Sequence, residues 1–447
     1  MKYHFIGIKG SGMSALAQVI HDLGHYVQGS DVTHHLFTQN KLEEKNILIK
    51  EFNEKNITKE FIIVVGNAFN EQHIEYKKAK ELNLKIYKYY ELLAELVKKY
   101  DSLAVSGCHG KTTTTALLGH VLNIIDSTNY LIGDGTGFAN KTYERFVFEA
   151  CEYKRVFLNY YPKDIIITNI ELDHVDYYED IEDVKSAYID FLKNRENNAI
   201  VCGDDENIRN INIQDKVFYY GFDESNDCFA KNIELNSKSS DFEVFIKNEF
   251  VGKFSVPLYG KHMILNTLAV ISYCYLKKLN INEVNDAIQT FKGAKRRFNQ
   301  NVIKNIVTID DYAHHPTEVK VTIESARQKY PDKEIVAVFL ENTFSRTKML
   351  YKDFAKALEK ADYTYVTDIL SDREKKENYK DVTPYLILDL LKNKEYLKIE
   401  NIENLVNPNN FEIITPLLKH KDSVIIFMGC KEVYYLKEKF EKTIKEE

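Results

Sequence analysis

The sequence predicts an α/β protein divided into three domains, and three observations carry that expectation. At 447 residues the chain is too long for one core and suggests about three units of ~150 residues each. Two glycine-rich stretches, near residues 7–12 and 107–110, each follow an apolar run and open a segment with helical apolar spacing, the pattern of strand, tight turn and helix. A third set of strand-like runs begins only after Gly293-Ala294-Lys295-Arg296-Arg297-Phe298, a glycine and basic cluster without helical amphipathicity that reads as a hinge. The domains are accordingly placed at 1–100, 101–294 and 295–447.

In the first domain, Tyr3 to Ile8 is a strand that breaks at Lys9-Gly10-Ser11-Gly12-Met13 and passes into a helix through Leu16, Val19, Ile20 and Leu23. Gly24 ends that helix, and Tyr26 to Asp31 supplies the next strand, closed by an acid about twenty residues after the glycines. Gly10, Gly12, Ala15 and Asp31 fit the nucleotide fingerprint of a Rossmann-like βαβ unit, in which a helix N-terminus holds a diphosphate. The spacing leaves open which nucleotide sits there. A third strand, Phe61 to Val65, ends in Gly66-Asn67-Ala68. Leu84 to Tyr87 is another strand, and a helix from Glu91 to Lys99 leads to the second domain.

The second domain opens on Leu103-Ala104-Val105, then Ser106-Gly107-Cys108-His109-Gly110-Lys111-Thr112-Thr113, then a helix through Leu117, Leu118, Val121 and Leu122. Glycines let a backbone curl around phosphate, and loop N–H groups and the helix dipole favour the phosphate charge. Lys111 is placed to neutralise β- and γ-phosphates, and the Thr112 hydroxyl to ligate Mg²⁺. The spacing from Gly107 to Thr112 is the shorter G-x-x-G-K-T, because Val105 stands where the longer phosphate loop has its first glycine. Beyond it, alternating strand and helix to about residue 292 predict a parallel-rich sheet covered on both faces. The strand Phe146 to Phe148 ends in Glu149, and Asp164 to Ile170 runs into Glu171-Leu172-Asp173-His174. Ligands bind beyond the carboxyl ends of such strands, which puts Glu149 and His174 on the side of the phosphate loop. A later helix carries His262 and Asn266. The third domain has strands at 306–309, 334–339, 363–366 and 424–428 with its own helices, again α/β and Rossmann-like.

Composition narrows the function classes. A net charge of −7 without a long basic block argues against nucleic acid as a partner. Six cysteines without a C-x-x-C point to reduced thiols in a cytoplasmic protein. No run of eighteen apolar residues and no signal-peptide pattern occurs, so neither a membrane span nor secretion is expected.

Taken together, the loop Gly7 to Met13, the run Gly107 to Thr115, Thr168-Asn169-Ile170-Glu171-Leu172-Asp173-His174, Asn266, Arg296-Arg297-Phe298 and Asp310-Asp311-Tyr312-Ala313-His314-His315-Pro316 resemble the Mur ligases. The resemblance runs through essentially the whole chain in the right order. It implies a uridine-nucleotide domain, a central ATPase domain and a C-terminal domain closing over both. The implied reaction is ATP-dependent: L-alanine is joined to the lactyl carboxylate of UDP-N-acetylmuramate through an acyl phosphate, releasing ADP and phosphate in peptidoglycan precursor synthesis. That process serves cell shape and division.

The same resemblance assigns roles. Gly10, Ser11, Gly12 and Met13 hold the diphosphate, Asp31 reaches the uridine, and Asn67 assists. Gly107, Gly110, Lys111, Thr112, Thr113, His262, Asn266, Arg297 and Asp311 contact ATP. Of two Mg²⁺ ions, Thr112 and Glu149 ligate one and His174 the second. Tyr312, His314 and Arg346 lie near the substrate and acceptor, with Arg346 able to pair bidentately with the alanine carboxylate. Lys111, Glu149, His174, His314 and Arg346 form the catalytic set. The chain departs from the family at Asn342, where a histidine is usual, and at Gly429-Cys430-Lys431, where a Gly-Ala-Gly run is usual. Related readings are a ligase attaching a preformed peptide to the same UDP-sugar and a folylpolyglutamate synthase. From another class, an NAD-dependent oxidoreductase would use Gly10, Gly12, Ala15 and Asp31 but leave Lys111, Thr112, Glu149 and His174 without a task.

Overall fold

The computed structural model describes every residue except 372, 373, 431 and 447. Three sheets follow one another along the chain. The first has five parallel strands in the order β3-β2-β1-β4-β5: β1 (Lys2–Ile6), β2 (Tyr26–Asp31), β3 (Leu48–Glu51), β4 (Ile62–Val65) and β5 (Ile86–Lys88). Central β1 is buried from Tyr3 to Ile6 on both faces, which is why it reads as a continuous apolar run. Strand β3 is not among the predicted elements. It is a four-residue edge, nowhere fully buried, so its residues carry no strong apolar signal.

The second sheet has ten strands: β6 (Asp101–Ser106), β7 (Asn129–Leu131), β8 (Gly137–Phe138), β9 (Arg145–Glu149), β10 (Asp164–Ile167), β11 (Ala199–Cys202), β12 (Val217–Gly221), β13 (Cys228–Leu235), β14 (Ser240–Ile246) and β15 (Glu249–Val256). Their order is β15-β14-β13-β12-β11-β10-β6-β9-β7-β8. From β13 to β7 neighbours are parallel, as expected. The expected alternation with helices fails after β12, because β13, β14 and β15 form an antiparallel meander. Its second turn places Lys247 and Asn248 both at positive φ (51° and 66°), the backbone of a tight hairpin. Along β14 alternate residues are buried, the pattern of a strand with one covered face.

The third sheet runs β16-β17-β21-β18-β19-β20, with β16 (Asn299–Ile303), β17 (Ile306–Asp311), β18 (Glu334–Phe339), β19 (Tyr363–Thr367), β20 (Lys394–Leu397) and β21 (Ser423–Met428). Only β16 is antiparallel to its neighbour.

The cores explain how the units are held. One continuous apolar cluster contains Phe5 and Leu16 of the first unit with Leu103 and Leu117 of the second. Polar bonds reinforce that seam, since Gln18 Nε2 donates to Gly135 O at 2.7 Å and Gly137 N donates to Gln18 Oε1 at 3.2 Å. The third unit has separate clusters on the two faces of its sheet, one with Ile309 and Phe339, the other with Val338 and Phe427. It meets the central unit through charged and hydroxyl groups instead, the kind of contact that permits relative motion. Among the described residues no helix is long and apolar enough to cross a membrane.

Candidate active site

The loop after β6 is built from its glycines. Gly107 and Gly110 have φ of +136° and +81°, and a Cβ on Gly107 would collide with the Thr168 hydroxyl, while one on Gly110 would lie 2.7 Å from Asn266 Oδ1. Asn169, at the end of β10, pins the loop from the next strand: its Oδ1 accepts from His109 N at 2.8 Å and its Nδ2 donates to His109 O at 2.9 Å. The helix Lys111–Ile125 then presents its N-terminus to the cleft.

Lys111 Nζ folds back onto Gly107 O, onto Cys108 O at 3.1 Å and onto Glu152 Oε2 at 2.9 Å. Thr112 Oγ1 and Gly133 N donate to Glu149 Oε2 at 2.9 and 3.0 Å. Burial pushes the Glu149 carboxyl above its ordinary range. Sequence reasoning missed Glu152, which is 1% exposed and sits between Lys111 and His174 Nε2, the latter at 3.5 Å. Burial alone would raise its pKa; the charge of Lys111, followed by contacts with His174, holds it below the usual value instead. No periodicity marks Glu152, because it follows β9 in an irregular turn.

These groups suit Mg²⁺. Thr112 and Glu149 bring hard oxygen donors together, and His174 Nδ1 is buried with no hydrogen-bond partner among the described residues. His174 itself is held at a φ of +52° with its ring 4.5 Å from that of Tyr153.

Beside the loop lies a cavity of about 540 Å³, bounded by Gly110, Thr113, His262, Asn266, Arg297 and Asp311, with apolar walls from Leu258, Met263 and Val321. Burial lowers His262 to about 4, so its imidazole is neutral at ordinary pH, and raises the Asp311 carboxyl to about 6. Arg297 Nη1 lies 3.4 Å from Glu318 Oε1. An apolar slot with a few converging polar groups beside a phosphate loop suits a purine nucleotide.

A second chamber, about 250 Å³, collects residues from all three units: Ser11 and Phe37; Lys111, Thr112, Glu149, Glu152 and His174; and Arg296, Tyr312, His314, Asn342, Arg346 and Cys430. Gly110, Arg297 and Glu318 border both spaces, so the two join at the loop. A third cavity, about 230 Å³, carries the chamber on to Lys9, Gly10 and Thr38 at the first glycine turn. Arg296 anchors this passage, paired with Asp310 at 3.2 Å and placed over the rings of Tyr434, Tyr312 and Phe37 at 5.0, 5.1 and 5.6 Å.

Gly12, Met13, Asp31 and Asn67 line neither the chamber nor the third cavity. Met13 is buried in the apolar core behind the glycine turn, and Gly12 packs against Tyr89. The Asp31 carboxylate accepts from Lys9 N and Val32 N at 2.6 and 2.8 Å, so it shapes the loop. Asn67 is exposed beyond β4. Arg346, on the chamber wall, is 5% exposed: Nε and Nη2 donate to Asp173 Oδ1, and Nη1 donates to Asn342 Oδ1 at 3.1 Å. Of the second departure, Cys430 borders the chamber, while Lys431 lies outside the described residues.

Comparison with known families matches three successive segments: "Mur ligase family, catalytic domain" over residues 2–101, "Mur ligase middle domain" over 105–274 and "Mur ligase, glutamate ligase domain" over 296–430. The chain belongs to the Mur ligase family. Solved structures share the fold of this Mur ligase over its full length. A UDP-N-acetylmuramate-alanine ligase of Thermotoga maritima is 24% identical with a TM-score of 0.81, covering 100% of both chains. A murein peptide ligase of Psychrobacter arcticus is 22% identical with a TM-score of 0.74, covering 99% of this chain and 98% of its own. A MurF ligase of Thermotoga maritima in complex with ADP is 16% identical with a TM-score of 0.62, covering 94% and 95%. As a Mur ligase the chain is an ATP-dependent ligase.

Proposed function

We propose that this ligase joins L-alanine to the lactyl carboxylate of UDP-N-acetylmuramate, with the domain boundaries and residue roles read from the sequence. The supporting observation is the 250 Å³ chamber, in which the phosphate-loop residues Lys111 and Thr112 face Ser11 from the first unit and Tyr312, His314 and Arg346 from the third. Two anions, a carboxylate and a triphosphate, must meet there, and cations gathered in a water-poor space offset their repulsion. The 540 Å³ cavity takes the adenosine, placing the γ-phosphate at the joint beside Gly110. Lys111 lets go of the loop carbonyls and donates to the phosphate instead, and Glu152 keeps its ammonium charged and aimed. Thr112 and Glu149 would hold one Mg²⁺ and His174 a second, which would supply positive charge to the phosphate oxygens. The sugar diphosphate enters past Gly10 and Ser11, and the lactyl carboxylate attacks the γ-phosphorus with loss of ADP. The amine of alanine then attacks the acyl phosphate carbon from the side of Arg346 and His314, expelling phosphate.

Arg346, held by Asn342 at 3.1 Å on the chamber wall, offers a guanidinium to the carboxylate of an acceptor amino acid. The test is to incubate the purified chain with ATP, Mg²⁺ and UDP-N-acetylmuramate, adding in turn alanine, glycine, serine and a muramyl tripeptide, and to measure phosphate release. Release that depends on alanine supports the reading; release with the tripeptide alone replaces it with peptide ligation.

A further inference from the structure

Where the central and C-terminal units meet, at the rim of the nucleotide cavity, three side chains converge that the ligase reaction does not use. His109 comes from the phosphate loop after β6, Glu171 from the segment after β10, and His315 caps the helix Pro316–Lys329. One donor atom from each lies within 4.8 Å of the others. His109 Nε2 is 2.7 Å and His315 Nδ1 3.8 Å from Glu171 Oε2, and the imidazole rings lie 4.6 Å apart. We propose that His109, Glu171 and His315 bind one transition-metal ion of the Zn²⁺ type that ties the central unit to the C-terminal unit.

The donor set carries the choice of metal. Two imidazoles and one carboxylate suit Zn²⁺, with a fourth position left for water or a ligand oxygen, whereas two nitrogens among three donors are a poor set for the oxygen-preferring Mg²⁺. Tetrahedral bonds of about 2.0–2.1 Å place donors roughly 3.4 Å apart, so the 2.7 Å contact opens and the 3.8 Å contact closes by less than an ångström each. His315 Nδ1 accepts from Thr317 N at 3.4 Å in the helix cap, a long contact that a metal would replace, while His315 Nε2 is buried without a hydrogen-bond partner among the described residues. The surroundings fix the ligands as a metal site requires: Thr317 Oγ1 donates to both oxygens of Glu171 at 2.9 and 3.0 Å, and Glu318 Oε1 stands 3.4 Å from His109 Nδ1. The ion displaces the proton that His109 shares with Glu171, so each binding event releases one proton to the buffer and raises the net charge of the cluster by one, which the neighbouring Glu318 carboxylate opposes. Because two ligands belong to one unit and the third to the other, metal binding favours the closed arrangement at a seam that otherwise has no continuous apolar core.

The experiment uses the chelator-treated full-length chain in excess Mg²⁺, titrated with Zn²⁺ by calorimetry in two buffers of different ionisation enthalpy. One equivalent should bind with proton release, and His315→Asn and Glu171→Gln, each checked for native circular dichroism, should weaken binding by about tenfold or more. Unchanged affinity in both folded variants, or abolition of the wild-type isotherm by Mg²⁺, overturns the proposal. Should a variant fail to fold, wild-type crystals soaked in Zn²⁺ decide: an anomalous peak between His109, Glu171 and His315 supports the site. A peak only beside Thr112 and Glu149, or none, refutes it.

Discussion

Arg346 of the C-terminal unit and Asp173 of the central unit form a buried ion pair across the domain boundary, with Nη2 at 3.0 Å and Nε at 3.2 Å from Oδ1. Burial would raise the Asp173 carboxyl, yet Arg346 and then the nearby His174 and His314 hold it well below the carboxylate range. Asp173→Asn removes that charge and leaves Arg346 under-compensated beside Glu341. Stability should fall by about 3 kcal/mol, read as a lowered midpoint in urea unfolding. Arg346→Lys keeps the charge but loses the planar fork that reaches Asp173, Asn342 and Thr343 together. It should raise the Michaelis constant for the acceptor amino acid about tenfold and barely move that for ATP.

Lys111 and Glu152 separate chemistry from positioning. Lys111→Ala should lower turnover by about 10²-fold or more, the scale of one preorganised electrostatic group. Removing the ammonium also strands the Glu152 carboxylate, so thermal stability should drop in the same variant. In the double variant Lys111→Ala/Glu152→Gln, the stability should recover while the turnover stays low. Recovery of both would show that Lys111 serves the fold rather than phosphoryl transfer.

The two carboxylates differ in how they could be read. Glu149 stands directly after Phe146-Val147-Phe148, all fully buried, so strand periodicity delivers it to the carboxyl end of the sheet. Glu152 follows in an irregular turn with no period at all, and its importance is visible only once Lys111 and His174 converge on it in space. Arg346 is named through the family resemblance, while periodicity alone does not place it in the chamber. It lies on the amphipathic helix Phe344–Leu358, and its sequence does not say that the polar side of that helix faces another unit rather than water. Parallel strands such as β1, β6, β10 and β18 were legible because both their faces are buried, whereas the parallel strands β7, β11, β12 and β20 were not singled out. Strands β3 and β13 to β15, exposed on an edge or on one face, were not legible.

Asp311 supplies a pH-dependent test. Its carboxyl is raised by burial to about 6 from an ordinary value near 3.8, opposed by Arg297 and by the amides of Phe298 and Ala313. A raised carboxyl pKa stabilises the fold fully below about pH 3.8, and the contribution is lost as pH rises through about 6. Asp311→Asn abolishes that titration. Relative to wild type, the variant should therefore gain stability between pH 4 and pH 6 and hold a constant offset above it, the gain amounting to about 3 kcal/mol for a shift near two units. Melting temperatures of both proteins from pH 4 to pH 8 check this. A parallel pair of curves would mean that Asp311 ionises normally in the folded chain.

Asn342 tests the acceptor side of the chamber. Its Oδ1 accepts from Arg346 Nη1 at 3.1 Å, and its side chain borders the same space as Tyr312 and His314. In Asn342→His, a neutral imidazole can still accept from Arg346, so above about pH 7 the Michaelis constant for alanine should match wild type. Below about pH 6.5, where an unperturbed imidazole gains its proton, the ring can no longer accept and becomes a second cation beside the guanidinium. Arg346 is then released toward the acceptor carboxylate, and two positive charges face it at close range. The ratio of variant to wild-type Michaelis constants for alanine should accordingly fall below one as pH drops from 8 to 6, while the ratio for ATP stays flat. A ratio for alanine that is independent of pH would place the acceptor away from residues 342–346 and move the search to the passage lined by Arg296 and Tyr434.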